Sequence, residues 1–472
     1  MKNPNLYLPG FHLATLRRKP RSEGQKFDDR LAEIRRKSIS QLAKCFTDFI
    51  PAQPLQPHQS GAQSRRRLFS KENTFWGFFS QILNADGGCS VVVRKFHAFA
   101  ASRSMKLPSS STSAYCQARL KLEESDLESI QAHTSKQLTQ RGTDKVLQNR
   151  RVVVADGTGV SMPDTAENQQ VWPQTRQQKP GCGFPQAYIC ACFNLQTGVL
   201  LSYELGNKKS HELLMLREQW STFNPGDIFP GDKGFCSYYD VSRLNDKGVD
   251  SVITLGKRKL VTSKNADEIL GEDDLLIHWS RPKRAKHLSY NKDEWLALPD
   301  KLVLRQIKVK VKQPGFRTQS FHIITTLTDT SIYSAKAIAD LYFQRWDIEL
   351  FFRDIKTTMG MDILRCKSPS MIRKELLMHF IVYNCLRLLM LKAADKADVL
   401  VRLISFKASV QALRQWEPLL KSELSAQEQA RLLSLLCDSI AASVIHVRKG
   451  RREPRCKKRN PKNYQRLTKP RH

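Results

Sequence analysis

The stretch YICACFNLQTGVLLSYEL, residues 188–205, decides the fold. Two apolar runs, 188–195 and 199–205, flank Gln196-Thr197-Gly198, so a β-hairpin is expected here. Upstream, VVVAD (152–156) reads as a short strand ending in Asp156. Downstream, HELLMLREQW (211–220) reads as a helix, and Asn224-Pro225-Gly226 interrupts the chain. DIFPGDKGF (227–235) then carries a strand ending in Asp232, SYYDVSRLND (237–246) reads as a helix closed by Gly248, and DSVITL (250–255) as a further strand. Strands that alternate with helices in this way predict an α/β sheet.

Three hairpin-linked strands followed by strand–helix units is the order of a ribonuclease H-like fold, a fold-level analogy. The expected class is therefore α/β, with a ribonuclease H-like core, a β-rich insertion, and helical regions at both ends. Region 1–148 reads as helical and DNA-binding, with candidate helices near 30–50, 74–83, 88–103 and 111–140. In the last of these, AYCQARLKL follows a run of small hydroxyl residues and displays Gln117 and Arg119, residue types that can read a major groove; an ordinary amphipathic helix is the plainer reading. Residues 149–256 form the first part of the core, and 257–320 a basic β-rich insertion. Residues 321–362 complete the core, 363–447 form a helical region that is a candidate for dimerisation, and 448–472 a basic tail.

Charge narrows the partners. Lys plus Arg is 77 and Asp plus Glu 45 in 472 residues, a net charge of +32. Such an excess favours polyanions, nucleic acid before membrane. No run of about 18 uninterrupted apolar residues occurs, so no spanning helix is expected. The opening MKNPNLYLPGFHLATLRRKP lacks the apolar stretch of a secretory signal. Cysteines occur without CxxC pairs, and Cys182, Cys190 and Cys192 lack a matching His or second pair, which argues against zinc. Reduced thiols fit a cytoplasmic location. In the insertion, Lys308, Lys310 and Lys312 alternate with Ile307, Val309 and Val311; this reads as a cationic stripe for DNA, or else as a lysine-guarded edge strand. The tail at 448–471, rich in Lys and Arg with Glu453 its single acid, cannot bury a core and could wrap phosphates.

Chemistry concentrates near residue 350. At about 100° per residue, Tyr342, Arg345, Glu349 and Lys356 fall within an arc of about 60° on one helix, with Asp347 and Asp354 opposite. A carboxylate among two cations and a phenol suggests a metal ligand flanked by phosphate-holding groups, provided other carboxylates converge on it. Asp156 and Asp232 stand where strands meet loops, the place where open α/β sheets gather functional groups. Three converging carboxylates repel one another unless cations hold them. Two divalent ions about 3.5–4 Å apart would do so and would serve phosphoryl chemistry. Oxygen ligands suit Mg²⁺, with Mn²⁺ able to substitute.

These residues resemble the DDE transposases of bacterial insertion sequences, in the subgroup marked by Tyr, two residues, Arg, three residues, Glu, six residues, Lys. Tyr342, Arg345, Glu349 and Lys356 meet that spacing in full. VVVADGTGVSMPDT (152–165) looks like the first-Asp region, giving Asp156, and GDIFPGDKGFCSYYDV (226–241) the second, giving Asp232. Lys233 stands where Arg is frequent, and RREPRCKKRNPKNY (451–464) resembles the family's basic ending. The resemblance spans about 150–470.

It implies a ribonuclease H-like core interrupted by a β-rich insertion, with Asp156, Asp232 and Glu349 as catalytic metal ligands. Tyr342, Arg345 and Lys356 would hold DNA phosphates, and an insertion aromatic, Trp279 the candidate, would stack on a flipped base. Partners would be terminal inverted repeats and target DNA, bound by a synaptic homodimer in a bacterial cytoplasm close to the nucleoid, with no membrane. Cleavage, hairpin formation and joining of 3′ ends would follow. Two alternatives stand beside this: a metal-dependent nuclease without strand transfer, and an inactive copy or DNA-binding regulator.

Overall fold

The structure is a computed structural model. It describes residues 45–57 except 47, 68–102 except 85 and 86, 107–139, and 146–445 except 176, 177, 208, 257–259, 285–289, 291, 312–318 and 420–424, together with Lys469. Most of the candidate helix near 30–50, the cluster Lys257-Arg258-Lys259, Lys312 and nearly all of the basic tail lie outside the described residues. The chain divides into two units, one built on Leu55–Leu122 and Glu417–Gln429, the other on Phe46–Pro54, Glu123–Trp416 and the residues from Ala430 onward.

In the first unit, α1 (Lys71–Leu83) opens at Ser70, whose Oγ accepts from the Asn73 amide at 3.2 Å. Phe75, Trp76, Phe78, Phe79, Ile82 and Leu83 are buried on every side of α1, the pattern of a central helix. α2 (Cys89–Ser102) and α3 (Ser113–Leu120) cover it with Val92, Val93, Phe96, Tyr115 and Ala118. Arg119 faces this core. It lies over the rings of Phe78 (4.8 Å) and Tyr115 (5.2 Å) and donates to Gln81 at 3.3 Å. As placed, Arg119 is not available to a groove, whereas Gln117 is exposed.

The single helix expected over 111–140 is two. α4 (Glu124–Thr139) belongs to the second unit, where it packs on β3 and α9 (defined below) through Leu127, Ile130, Thr134 and Leu138. The break at 121–123 separates two apolar faces that serve different cores. β1 (Val153–Ser161), β2 (Gln186–Asn194) and β3 (Leu200–Asn207) form an antiparallel sheet in the order β1-β2-β3, with Val153 opposite Asn194. Gly198 turns the hairpin with φ +68°, and Arg387 Cζ would sit 2.8 Å from any Cβ there, so only glycine fits.

α5 (Glu212–Glu218), β4 (Ile228–Gly231), α6 (Tyr238–Asp246) and β5 (Asp250–Leu255) follow as expected, with β4 and β5 parallel. Val152 bridges Ile228 in parallel, which brings β1 beside β4. β6 (Glu268–Gly271), β7 (Asp274–Ser280), β8 (Lys301–Val311) and β9 (Gln319–Thr325) then extend the sheet in the order β4-β5-β9-β8-β7-β6. β8 is thus an interior strand rather than an edge. Lys308 and Lys310 reach back to Asp273 at 3.3 and 2.6 Å, so the lysine stripe is at least partly neutralised within the fold.

α7 (Ala335–Gln344), α8 (Asp347–Arg353) and a π-helical turn, Asp354–Thr358, lead to α9 (Pro369–Ala397). α9 is one helix of 29 residues, long and apolar enough to cross a membrane by length and composition. Its most apolar window is 94% buried against the rest of the fold, so it serves as a core helix. Asp398 ends it in the left-handed conformation, φ 51°, and α10 (Phe406–Trp416) folds back on it. The helical region 363–447 is thus interrupted at Asp398, where the chain turns back.

Candidate active site

Three elements bring carboxylates together. Asp156 lies within β1, not at its end; the strand runs on to Ser161, where the chain bridges Ile363. Its Oδ1 accepts from the Gly157 amide at 2.8 Å. Burial pushes the Asp156 carboxyl above the usual range; the Gly157 amide and the Arg345 charge pull it back, while Asp232 and Glu349 push it further up. Asp232 directly follows β4, as expected, and its Oδ1 accepts from the Gly234 amide at 2.6 Å, capping a short 3₁₀ turn. Glu349 sits exposed in the first turn of α8. Asp156 on β1 therefore feels the charge of both Asp232, after β4, and Glu349, on α8.

The helix around Glu349 departs from the ideal spiral. α7 stops at Gln344, Arg345 and Trp346 form a turn, and α8 begins at Asp347. Across the junction the amides of Ile348 and Glu349 reach back only three residues, to Arg345 and Trp346, a tighter winding than an α-helix. The π turn at 354–358 then widens the spiral before Lys356. The four residues therefore do not share one uniform face. Tyr342 is buried, its ring 5.6 Å from Phe321, and its hydroxyl hydrogen-bonds Thr254 at 3.1 Å. Arg345 is 6% exposed, its guanidinium 5.4 Å from the Tyr342 ring and 4.8 Å from that of Trp346. Arg345 Nε finds no hydrogen-bond partner among the described residues. Lys356 donates to Thr158 Oγ1 at 2.9 Å and to the Gly159 carbonyl at 2.7 Å, and burial lowers its pKa.

Asp354 anchors the far side. Arg387 of α9 pairs with it at 3.0 Å, in the buried space that also holds Phe351. Glu349 is thus carried outward by a helix whose opposite face is fixed to the core.

A family model of the transposase DDE domain matches residues 147–385, more than half of the chain. The chain belongs to this family. The matched span of the transposase DDE domain contains all three carboxylates. Among curated relatives, the transposase InsG for insertion sequence element IS4 of Escherichia coli (strain K12) is 27% identical over 249 residues, covering 52% of this chain and 53% of that protein. A probable transposase for insertion sequence element IS5377 of Geobacillus stearothermophilus is 33% identical over 91 residues, covering 19% of this chain and 24% of the relative. The chain spans about half, or less, of the length of the curated relatives it matches. A piggyBac transposase synaptic complex with hairpin DNA aligns over 86% of this chain and 85% of its own at 10% identity, with a TM-score of 0.42, a likeness too distant to argue from.

Two features of this DDE domain escaped sequence reading. Glu212, the first residue of α5, is a fourth carboxylate in range: burial, Asp156 and Asp232 together raise its pKa to about 6. Tyr188 of β2 donates its hydroxyl to Glu212 Oε1. A faint signal was available, since Gly157 directly after Asp156 leaves room for a neighbour; a methyl group there would collide with the Tyr188 hydroxyl and the Glu212 carboxylate. The second is Trp346, 52% exposed beside Arg345. Trp279 is half-buried on β7, edge-on to Tyr238 at 5.4 Å, in a cluster with Trp295.

An all-oxygen set of carboxylates, two of them raised in pKa by burial and then by neighbouring carboxylates, suits a hard divalent cation. Among the described residues, however, no three His, Cys, Asp or Glu side chains are spaced closely enough to hold one metal ion together. The donor chemistry fits the group; the spacing is wider than direct coordination by three ligands at once.

Proposed function

We propose that this chain is a cut-and-paste transposase that binds the terminal inverted repeats of its insertion sequence, cleaves DNA at their ends and joins the 3′ ends to target DNA. The observation that carries this reading is the electrostatic convergence of Asp156, Asp232 and Glu349 from three separate elements. Family membership over 147–385 and the net charge of +32 support it. The strand order β3-β2-β1 beside parallel β4-β5 is in keeping with a ribonuclease H-like core, to which β6–β9 add the basic insertion.

In this reading Asp156, Asp232 and Glu349 hold Mg²⁺, as two ions, with Mn²⁺ able to substitute. When bound, the metal supplies an activated oxygen nucleophile and relief of charge on the leaving oxygen. Arg345, whose Nε is buried with no partner among the described residues, would have to be uncovered to meet a DNA phosphate. Lys356 would exchange Thr158 and the Gly159 carbonyl for a phosphate oxygen. For Tyr342 to do the same it would have to leave Thr254; where it stands it supports the Arg345 guanidinium. Either Trp279 or the more exposed Trp346 offers a ring for a base turned out of the duplex, as hairpin formation requires. Two copies would synapse the element's ends, in the cytoplasm.

The test uses a labelled duplex bearing the inverted repeat that flanks the gene, with Mg²⁺ or with EDTA. Metal-dependent cleavage at the repeat boundary followed by joining is expected, and Glu349→Gln and Asp156→Asn should abolish both while retaining DNA binding. Cleavage without joining would instead identify a nuclease, and specific binding without cleavage a regulator or inactive copy.

A further inference from the structure

Resting on the reading of Lys356 as a residue that holds a DNA phosphate, we propose that Asp354, Arg387 and Tyr383 are positioning residues for cleavage: together they hold the π turn at Asp354–Thr358 and so aim Lys356 at β1 beside Asp156. The turn is the first observation. The Met359 amide donates to the Asp354 carbonyl at 3.1 Å, and the Met361 amide to the Ile355 carbonyl at 3.3 Å. Such a wide winding is rare, and where it occurs it is often at a functional site. One buried cluster holds it here. Arg387 Nη2 donates to Asp354 Oδ2 at 3.0 Å, and Arg387 Nε to the Tyr383 hydroxyl at 2.9 Å. Tyr383 in turn donates to the Gly198 carbonyl at 2.6 Å, which ties the cluster to the β2–β3 hairpin. The rings of Phe351, Tyr383 and Phe406 lie 5.1, 5.0 and 5.2 Å from the guanidinium.

What the turn delivers is the second observation. Lys356 lies in its middle, and the ammonium donates to Thr158 Oγ1 and to the Gly159 carbonyl of β1. Side chains alternate along a strand, so Thr158 stands on the same face of β1 as Asp156. The third is the choice of a buried ion pair. Asp354 and Arg387 are 7% and 4% exposed. Such a pair adds little stability over apolar side chains of similar volume, but its hydrogen bonds are directional and fix where each group lies. Placed at the first residue of the turn that carries Lys356, that direction has a use.

The experiment compares the full chain with the double variant Asp354→Leu/Arg387→Met, in which apolar side chains replace the pair and the fold should persist. Tyr383→Phe and Lys356→Ala accompany it, and circular dichroism checks each fold. Two quantities are read: acetylation of Lys356 by an N-hydroxysuccinimide ester, located by peptide mass spectrometry, and metal-dependent cleavage of the inverted-repeat duplex. In the double variant Lys356 should label several-fold faster, and cleavage should fall by about 100-fold, the scale of a misplaced reacting group. Lys356→Ala added to the double variant should cost nothing more, because both changes remove the same interaction. Tyr383→Phe should move both quantities the same way, by less. A folded double variant with wild-type cleavage, or one in which Lys356→Ala still exacts its full cost, would overturn the positioning role and leave the transposase reading standing. No cleavage by the wild-type chain would end that reading and this role with it. If the double variant does not fold, Tyr383→Phe decides alone.

Discussion

Two groups of acidic residues in the second unit are treated in opposite ways. In the insertion, Asp267, Asp273, Asp274 and Asp300 each have a basic partner. Arg305 is almost wholly buried on β8 and makes a two-pronged pair with Asp274 of β7, donating from Nε at 2.7 Å and also from Nη2. Asp273 takes Lys308 and Lys310, Asp267 meets His278 at 2.7 Å, and Asp300 meets Arg281. Near β1 and β4, Asp156, Asp232 and Glu212 form no ion pair among the described residues; Asp156 accepts from the Gly157 amide, Asp232 from the Gly234 amide and Glu212 from the Tyr188 hydroxyl. Paired acids hold strands together. The carboxyls of Asp156 and Glu212 are raised by burial first and by neighbouring carboxylates second. In the proposed reading, the difference separates residues that build this molecule from residues that act in it.

Four measurements sharpen or break that contrast. The largest effect is expected for Glu349→Gln, which should lower cleavage by about three orders of magnitude, since several kcal/mol of charge stabilisation would be lost at about 1.4 kcal/mol per decade. Stability should barely move, and near-normal cleavage of the repeat duplex would end the assignment. Asp274→Asn should do the reverse. It strands the Arg305 charge in the core and should cost about 3–5 kcal/mol in a denaturant titration, with cleavage per folded molecule preserved. A loss of activity without loss of stability would place this pair in the site instead.

The third concerns pH. His379, buried in α9 with Nδ1 unpartnered among the described residues, has its pKa lowered to about 3 by burial, with Arg365 adding to the effect. The unfolded chain binds this proton near 6.5 and the folded chain does not, so stability should fall as pH drops from about 6.5 toward 3, by up to about 1.4 kcal/mol per unit. His379→Leu should flatten that part of the acid slope while leaving metal affinity alone; an unaltered slope would assign the acid sensitivity to other groups. The smallest effect is expected for Lys310→Ala. Since Lys310 is engaged by Asp273, the salt dependence of DNA affinity should not change. A decrease of about one in that slope would mean that the lysine leaves Asp273 for a phosphate.

Much of this was legible in the sequence. The hairpin over 188–205, the helices at 212–218 and 238–246, and the strands at 228–231 and 250–255 announce themselves by apolar runs and turn residues, which act over a few neighbours. The expectation that Asp156 ends its strand did not hold, since β1 runs on to Ser161, whereas Asp232 directly follows β4. The fate of Arg119 was not legible, because a helix with one polar and one apolar side does not say which side an arginine takes when aromatic rings can receive it. Nor was the break between Gln344 and Asp347, since the ideal angle of about 100° per residue assumes a winding that tertiary packing altered here.

By itself the sequence determined the alternating order of strands and helices, which follows from periodicity and turn residues, properties a linear chain carries; its resemblance to the DDE transposases pointed to the family. Only the tertiary structure decided that 257–320 extends the core sheet, that β8 is interior with its lysines bound to Asp273, and that Glu212 and Tyr188 stand beside Asp156. Each of these is a meeting of residues from different elements, and distance between elements is fixed by how buried faces pack, a quantity no local pattern contains.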